Sequence, residues 1–220
     1  MKLFIFDFDG TLVDSKPIIE AGMTHTLERL GLPMALRDEW LKYVGLPVEE
    51  GIRRTFPLDE TLTFEKVVTA YRTFDHQGQE PLIRAFQGIP ELIAELHFKG
   101  QPMAIATSKR NRGLKPTMVR LGWWDWFDPI VTPDEVENGK PHPESLHQIL
   151  EKTNRKAEDC LMIGDTPFDV DMATAAGIPS LAVGYGMYSG DALALHHPRY
   201  FASDVSALRD ILLSLGSVAD

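Results

Sequence analysis

Two aspartates stand one residue apart in the stretch LFIFDFDGTLVDS, directly after an apolar run. Residues i and i+2 of a strand point to the same side, so Asp7 and Asp9 are predicted to project together from a strand end. Gly10 allows a sharp turn, and Thr11 adds a hydroxyl and a backbone N–H. Neighbouring carboxylates raise the pKa of one member unless a cation is close. The pair therefore predicts a hard divalent ion such as Mg²⁺, with a solvated acidic turn as the alternative.

Three later segments also place polar side chains at the same edge of the proposed sheet. IATSKR ends a strand with Thr107 and Ser108, whose hydroxyls can bind a phosphoryl oxygen or cap a helix. Lys140 lies between Gly and Pro in NGKPHPES. In LMIGDTPFDVD, Asp165 follows a strand and Asp169 lies in a first helical turn, where an acidic residue also suits the helix dipole. Ligands of open α/β sheets bind at the carboxyl ends of the strands, so these groups are predicted to converge on a metal.

Short apolar runs separated by amphipathic segments must position these side chains. The runs LFIF, MAIAT, CLMIG and SLAVG occupy residues 3–6, 103–107, 160–164 and 180–184. Helices are predicted over 89–98, about 116–122, 143–152, 168–176 and 205–215. This alternation predicts the α/β class, with a Rossmann-like parallel sheet and helices on both of its faces.

Residues 16–84 depart from this alternation, because they carry helical periodicity without a convincing strand run. They predict a helical insert after the first strand. The expected organisation is therefore an α/β core domain formed by residues 1–15 and 85–220, with a smaller helical domain over residues 16–84.

Composition limits the class of partner. A formal charge of −10 argues against a nucleic-acid surface, so a phosphate-bearing substrate must be attracted by a few placed cations or a metal. Cys160 is the only cysteine, which fits a reducing compartment, and the apolar run near the N-terminus is too short for a membrane span. A cytoplasmic protein without a membrane or nucleic-acid partner is expected, as a monomer or a homodimer.

Together, four signatures resemble those of the haloacid dehalogenase superfamily. They are the DxDGT[LV]xDS pattern from Asp7 to Ser15, the hydroxyl of Thr107, Lys140 of GKPHP and the GDxxxD pattern of residues 164–169, in the family order. The insert is similar to the helical cap of the subfamily that includes phosphoglycolate phosphatases, pyrophosphatases, nucleotidases and β-phosphoglucomutases. The resemblance implies a Mg²⁺-dependent, phosphoglycolate phosphatase-like enzyme that acts on a small phosphorylated metabolite.

The resemblance also implies roles for individual residues. Asp7 is the nucleophile that forms an aspartyl-phosphate, and Asp9 protonates the leaving oxygen and then activates water. The implied catalytic residues are Asp7, Asp9, Thr107 and Lys140. The implied metal ligands are Asp7, the Asp9 backbone carbonyl, Asp165 and Asp169. The implied phosphate-binding residues are Gly10, Thr11, Thr107, Ser108 and Lys140.

Residue identities separate the alternatives. Asp9 favours phosphoryl transfer, since dehalogenases of this superfamily have no acid at that position. The loop VGLPVEEG has neither the lysine of phosphonoacetaldehyde hydrolases nor the arginine of the mutases. A β-phosphoglucomutase-like phosphotransferase and a catalytically silent binding protein stay as alternatives. Specificity is predicted to lie in the insert, with Lys42, Gly45, Leu46 and Arg53 as candidate contacts, joined by Arg54 and Arg72. The alternative for most of these cations is that they are solvated charges on helix faces.

Overall fold

The computed structural model describes residues 1–74, 78 and 82–216, so six residues of the predicted insert and the last four of the chain lie outside the described part. The strands are β1 Leu3–Phe6, β2 Val13–Asp14, β3 Arg84–Ala85, β4 Met103–Ala106, β5 Ile130–Val131, β6 Cys160–Gly164, β7 Ser180–Val183 and β8 Tyr200–Ala202. Six of them form a parallel sheet in the order β5-β4-β1-β6-β7-β8. The predicted Rossmann-like α/β class is confirmed.

The helices of the described residues either cover the two faces of this sheet or lie between β2 and β3. They are α1 Lys16–Leu30, α2 Ala35–Leu41, α3 Val48–Thr55, α4 Phe64–Arg72, α5 Ile89–Phe98, α6 Asn111–Arg120, α7 Glu144–Thr153, α8 Pro167–Ala175, α9 Gly190–Ala194 and α10 Val205–Gly216. Short 3₁₀ turns span Trp124–Trp126 and Ala157–Asp159. Each of these helices falls short of the length and apolarity that a bilayer crossing requires.

Strand β1 shows why the central strands are apolar throughout. Alternate residues of a strand face opposite sides, so Phe4 and Phe6 pack in one core cluster, with α5 and α10. Leu3 and Ile5 pack in a second cluster, with α7 and α8. A parallel sheet covered on both faces requires such unbroken apolar runs.

The structure corrects the predicted start of helix α6 and adds short strands. The expected start near Pro116 is wrong, because α6 begins at Asn111 and includes the proline. Its buried face starts at Leu114, before the proline, and this packing holds the earlier turn in the helix. Strands β5 and β8 were not predicted, since runs of two and three residues are too short to carry a period.

Helices α1–α4, called the helical insert from here on, surround an apolar cluster of their own. Its buried members include Met23, Leu27, Trp40, Ile52 and Val67. The chain enters the insert after β2 and returns through β3, and these two strands pair in an antiparallel ribbon. An apolar core separate from those of the sheet fits the predicted division at residues 16–84, which stays a prediction.

Substitution of Trp40 tests whether the helical insert has a packed core of its own. It is 1% exposed, and its ring lies 5.1 Å from that of Phe56 and 5.4 Å from that of Tyr71. We expect Trp40→Ala to lower the free energy of unfolding by roughly 3–5 kcal/mol, because it leaves a cavity among packed rings. Urea unfolding followed by circular dichroism measures this. The control Leu195→Ala removes a side chain that is 77% exposed and should cost less than about 0.5 kcal/mol. Equal losses for the two variants would contradict a packed core around Trp40.

Candidate active site

Three buried carboxyl groups meet at the carboxyl edge of the central sheet. Asp7 follows β1, Asp165 follows β6, and Asp169 lies in the first turn of α8. Strands β1 and β6 are neighbours with Phe6 opposite Ile163, so their ends bring the first two groups together. One carboxylate oxygen from each residue lies within 4.8 Å of the others. We call Asp7, Asp165 and Asp169 the carboxylate cluster.

Lys140 lies inside this cluster, as the sequence predicted. Its Nζ is 2.8 Å from Asp7 Oδ1 and 2.6 Å from Asp169 Oδ1, and its side chain is 3% exposed. The lysine comes from the segment before α7, more than 130 residues after Asp7. Four ionisable groups from three separate segments of the chain therefore share one buried site.

Burial and mutual repulsion shift the titration of these groups. Burial raises the pKa of Asp7 to about 7, with Lys140 opposing the shift and Asp169 adding to it. Burial also raises the pKa of Asp165 well above its ordinary value, and the charges of Asp7 and Asp169 raise it further. Burial alone would lower the pKa of Lys140, but the carboxylates of Asp169 and Asp7 raise it above its usual range. The ammonium is therefore retained.

One ammonium is too little charge for three ionised carboxylates. The excess of two negative charges in a buried site favours either protonation of a carboxylate or the binding of a second cation. Carboxylate oxygens are the ligands that hard divalent cations prefer. The carboxylate cluster therefore fits a hard divalent cation, which Asp7, Asp165 and Asp169 would hold.

Asp165 is held in place by groups from two loops. Its Oδ1 accepts a hydrogen bond from the Thr11 hydroxyl at 3.0 Å, and its Oδ2 accepts one from the Met187 N–H at 2.7 Å. Gly10 has φ +83°, and a Cβ there would overlap the Asp165 carboxylate, so only glycine fits. The Gly10 N–H donates to the Val13 carbonyl at 2.8 Å. The Gly10 N–H and the Thr11 hydroxyl thus already have acceptors within the protein. The role of Gly10 and Thr11 in phosphate binding stays a prediction.

Asp169 has a structural and an electrostatic role at once. Its Oδ2 accepts hydrogen bonds from the N–H and the hydroxyl of Thr166, at 3.1 and 2.8 Å. This capping box closes the N-terminus of α8 and fixes the rotamer of Asp169. The other oxygen, Oδ1, is then aimed at Lys140.

The side chain of Asp9 does not join the carboxylate cluster, which corrects the expected pairing with Asp7. Both of its oxygens are 3.1 Å from the Nζ of Lys109, and the two side chains are each 19% exposed. Strand β1 ends at Phe6, so Asp7 and Asp9 both lie beyond it, and the rule that residues i and i+2 of a strand share a side does not apply to them. Sequence reasoning missed Lys109, although the basic run KRNR after Ser108 was a signal.

The two hydroxyl residues after β4 lie at the same edge. Thr107 is buried, and its Oγ1 accepts the N–H of Lys109 at 3.2 Å. The Ser108 hydroxyl donates to the Gly45 carbonyl at 2.6 Å and so links the sheet edge to the helical insert. Phosphate binding by Thr107 and Ser108 stays a prediction.

A cavity of about 530 Å³ opens between the sheet edge and the helical insert. Asp7, Asp9 and Thr107 line it from the sheet, and the predicted contacts Gly45, Leu46 and Arg72 line it from the insert.

The other candidate contacts lie elsewhere, and the alternative of solvated charges on helix faces describes them instead. Lys42 is exposed and pairs with Glu39 at 2.7 Å, whereas Arg53 is exposed and lies over the Phe64 ring at 3.9 Å. Arg54 pairs with Glu50 at 2.7 Å. These three cations occupy outer faces of the insert, because the apolar cluster takes its inner faces.

Residues 4–183 match the haloacid dehalogenase-like hydrolase family, so the chain belongs to that family. It is 30% identical over 208 residues to the pyrophosphatase PpaX of Bacillus mycoides, which covers 94% of this chain and 95% of that protein. A predicted phosphatase from Clostridium acetobutylicum has 26% identity and a TM-score of 0.85, over 97% of this chain and 98% of that one. A predicted phosphoglycolate phosphatase from Haemophilus somnus, 21% identical over 96% of this chain and 97% of that one, shares the fold with a TM-score of 0.83. The resemblance seen in the sequence is confirmed, and the chain is a hydrolase of this family.

The raised pKa of Asp7 predicts how stability depends on pH. Between its ordinary value of 3.8 and about 7, the folded protein binds more protons at Asp7 than the unfolded chain. In EDTA, the free energy of unfolding should therefore fall as pH rises across this window, by an amount on the order of 1–4 kcal/mol. The neutral side chain of Asp7→Asn should reduce this fall.

Urea unfolding at pH 4.5 and 7.5 measures the effect. The matched control is Asp210→Asn, which changes an exposed carboxylate on α10 and should leave the pH dependence of the wild type unchanged. A fall of the same size in Asp7→Asn would exclude Asp7 as its source.

Proposed function

We propose that the protein is a Mg²⁺-dependent phosphatase that hydrolyses a small-molecule phosphate monoester through an aspartyl-phosphate intermediate. The observation that carries the proposal is the carboxylate cluster with Lys140 bonded to two of its members. Membership of a hydrolase family supports it. The names of the relatives, pyrophosphatase and predicted phosphatase, point to phosphoryl chemistry.

Asp7 is the proposed nucleophile. It stands on the rigid end of β1 and lines the cavity, with Oδ1 fixed by Lys140. Attack of its carboxylate on phosphorus forms the acyl phosphate while the bond from phosphorus to the ester oxygen breaks, which divides one difficult step into two easier ones. Lys140 offsets the repulsion between Asp7 and the phosphoryl oxygens. Bound Mg²⁺ would neutralise the remaining negative charge of the cluster and polarise the phosphoryl group.

Asp9 is the proposed acid and base. It lines the cavity beside Asp7, and protonated Asp9 gives its proton to the leaving alkoxide. The resulting carboxylate then takes a proton from water, whose oxygen attacks phosphorus and releases Asp7 and inorganic phosphate. Lys109 holds Asp9 in the present arrangement, so proton transfer requires Lys109 to exchange this carboxylate for another acceptor. The phosphoryl oxygens of the substrate provide one.

The helical insert is the proposed cap over this reaction, with residues 16–84 as the cap domain and residues 1–15 and 85–220 as the core domain. The loop around Gly45 already touches the core, since it accepts the hydrogen bond from Ser108. A Cβ on Gly45 would come within 2.8 Å of Thr166, so this approach requires glycine. Such closeness limits the access of water while phosphorus is being transferred.

Asp7→Asn tests the nucleophile. The amide is nearly isosteric but cannot attack phosphorus, so phosphate release from 4-nitrophenyl phosphate with Mg²⁺ should fall on the order of 10³-fold or more. The circular dichroism spectrum should be unchanged. The control Asp210→Asn should retain wild-type turnover, and substantial turnover by Asp7→Asn would refute the assignment.

Removal of divalent ions tests the cofactor. Because the carboxylate cluster lacks two positive charges, EDTA should stop phosphate release and an excess of Mg²⁺ should restore it. A sample given EDTA already saturated with Mg²⁺ separates chelation from any other effect of the additive. Turnover that is indifferent to EDTA would count against a metal-dependent mechanism.

A further inference from the structure

The cavity has two chemically different walls. The wall from the sheet edge carries the reactive groups, whereas the wall from the helical insert is mainly apolar and aromatic, with Glu49 and Arg72 as its charged members. The insert wall includes Ile18, Ile19, Met23, Trp40, Leu46 and Tyr71. Phosphate chemistry needs only the first wall, so the second must serve the part of the substrate that leaves with the ester oxygen.

Of the four cations along the described part of the cavity wall, three form ion pairs with protein carboxylates. The pairs are Lys109 with Asp9 at 3.1 Å, Arg110 with Asp134 at 2.8 Å and Arg72 with Glu49 at 3.0 Å. Arg110 also lies 3.5 Å from Glu49. The fourth lining cation, Arg112, is exposed to solvent, where an ion pair contributes little. A second anionic group on the substrate would therefore either displace one of these pairs or bind at the solvent-exposed Arg112.

The size of the cavity also argues against the smallest phosphate compounds. Pyrophosphate and phosphoglycolate have nine non-hydrogen atoms each, which fill roughly 270 Å³ even at the volume of a liquid water molecule per atom. The cavity measures about 530 Å³. About half of it stays unfilled by such ligands, and the unfilled part borders apolar side chains. Pockets of this size and composition typically take a ligand with an apolar body and few polar groups.

We propose that the substrate is a phosphate monoester whose alcohol carries an apolar body, and that this body packs against the insert wall while the phosphate lies at Asp7. The inference rests on the proposed phosphatase activity. Each methylene of the alcohol that becomes buried should raise kcat/KM about fourfold, until the cavity is filled.

A series of n-alkyl phosphates from ethyl to octyl tests this inference. Simple alcohols of this series have nearly equal pKa values, so differences in kcat/KM report binding by the alkyl chain rather than leaving-group reactivity. We expect kcat/KM to rise by at least roughly tenfold between ethyl and hexyl phosphate, and hexyl phosphate to exceed phosphoglycolate and pyrophosphate. Release of inorganic phosphate with Mg²⁺ is the measurement.

Val44→Thr and Val48→Thr locate the apolar contact. Both valines line the cavity and are only half-buried, so a hydroxyl there should not unfold the protein. Each variant should lower kcat/KM for hexyl phosphate roughly threefold to thirtyfold and lower kcat/KM for ethyl phosphate by a smaller factor. The matched control is Val119→Thr, on the exposed face of α6 and outside the cavity lining, which should change neither value.

The outcomes separate the inference from the function on which it rests. A flat or falling alkyl series, a preference for phosphoglycolate or pyrophosphate, or equal effects of Val44→Thr on ethyl and hexyl phosphate overturns the inference and leaves the phosphatase intact. Absence of phosphate release from every compound overturns the proposed function, and the inference with it.

Discussion

Three buried carboxyl groups around one ammonium are the constraint on which the rest of the structure depends. Asp7, Asp165 and Asp169 repel one another, and Lys140 offsets only part of that repulsion. Every neighbouring element serves to hold this unfavourable arrangement together. Strands β1 and β6 run side by side and fix two of the groups, the capping box of α8 fixes the third, and glycine at position 10 leaves room for the carboxylate of Asp165. The fold thus brings three carboxyl groups together in one buried site, which is the arrangement that the proposed cation and phosphoryl chemistry require.

The cavity divides chemistry and recognition between two parts of the chain. The sheet edge supplies the reactive groups, and the helical insert supplies apolar and aromatic surface together with Glu49 and Arg72. Ser108 joins the two parts through its hydrogen bond to the Gly45 carbonyl. Since Glu49 and Asp134 already pair with the arginines of the cavity, the arrangement favours apolar recognition of the leaving group over recognition of a second anion.

Much of the architecture was predictable because its signals are local. The runs LFIF and CLMIG are buried strands in the structure, and the predicted helix over residues 89–98 has those bounds. The start of α6 was not predictable, since the turn before Pro116 is held by burial of Leu114 rather than by local preference. Very short strands such as β5 depend on pairing with β4 and have no periodicity of their own.

The sequence by itself determined which chemical groups the site contains, because their signals are local. Asp7 and Asp165 follow apolar strands that end at one sheet edge, Lys140 precedes a helix and Asp169 lies in the first turn of another. Only the tertiary structure decided the partners of those groups. Lys109 binds Asp9 across 100 residues, and the Met187 N–H binds Asp165, although a backbone donor leaves no mark in a sequence. Lys42 and Arg53 fall outside the cavity for the same reason. Contacts between distant segments depend on how helices and strands pack, and packing is a property of the whole fold rather than of any one segment.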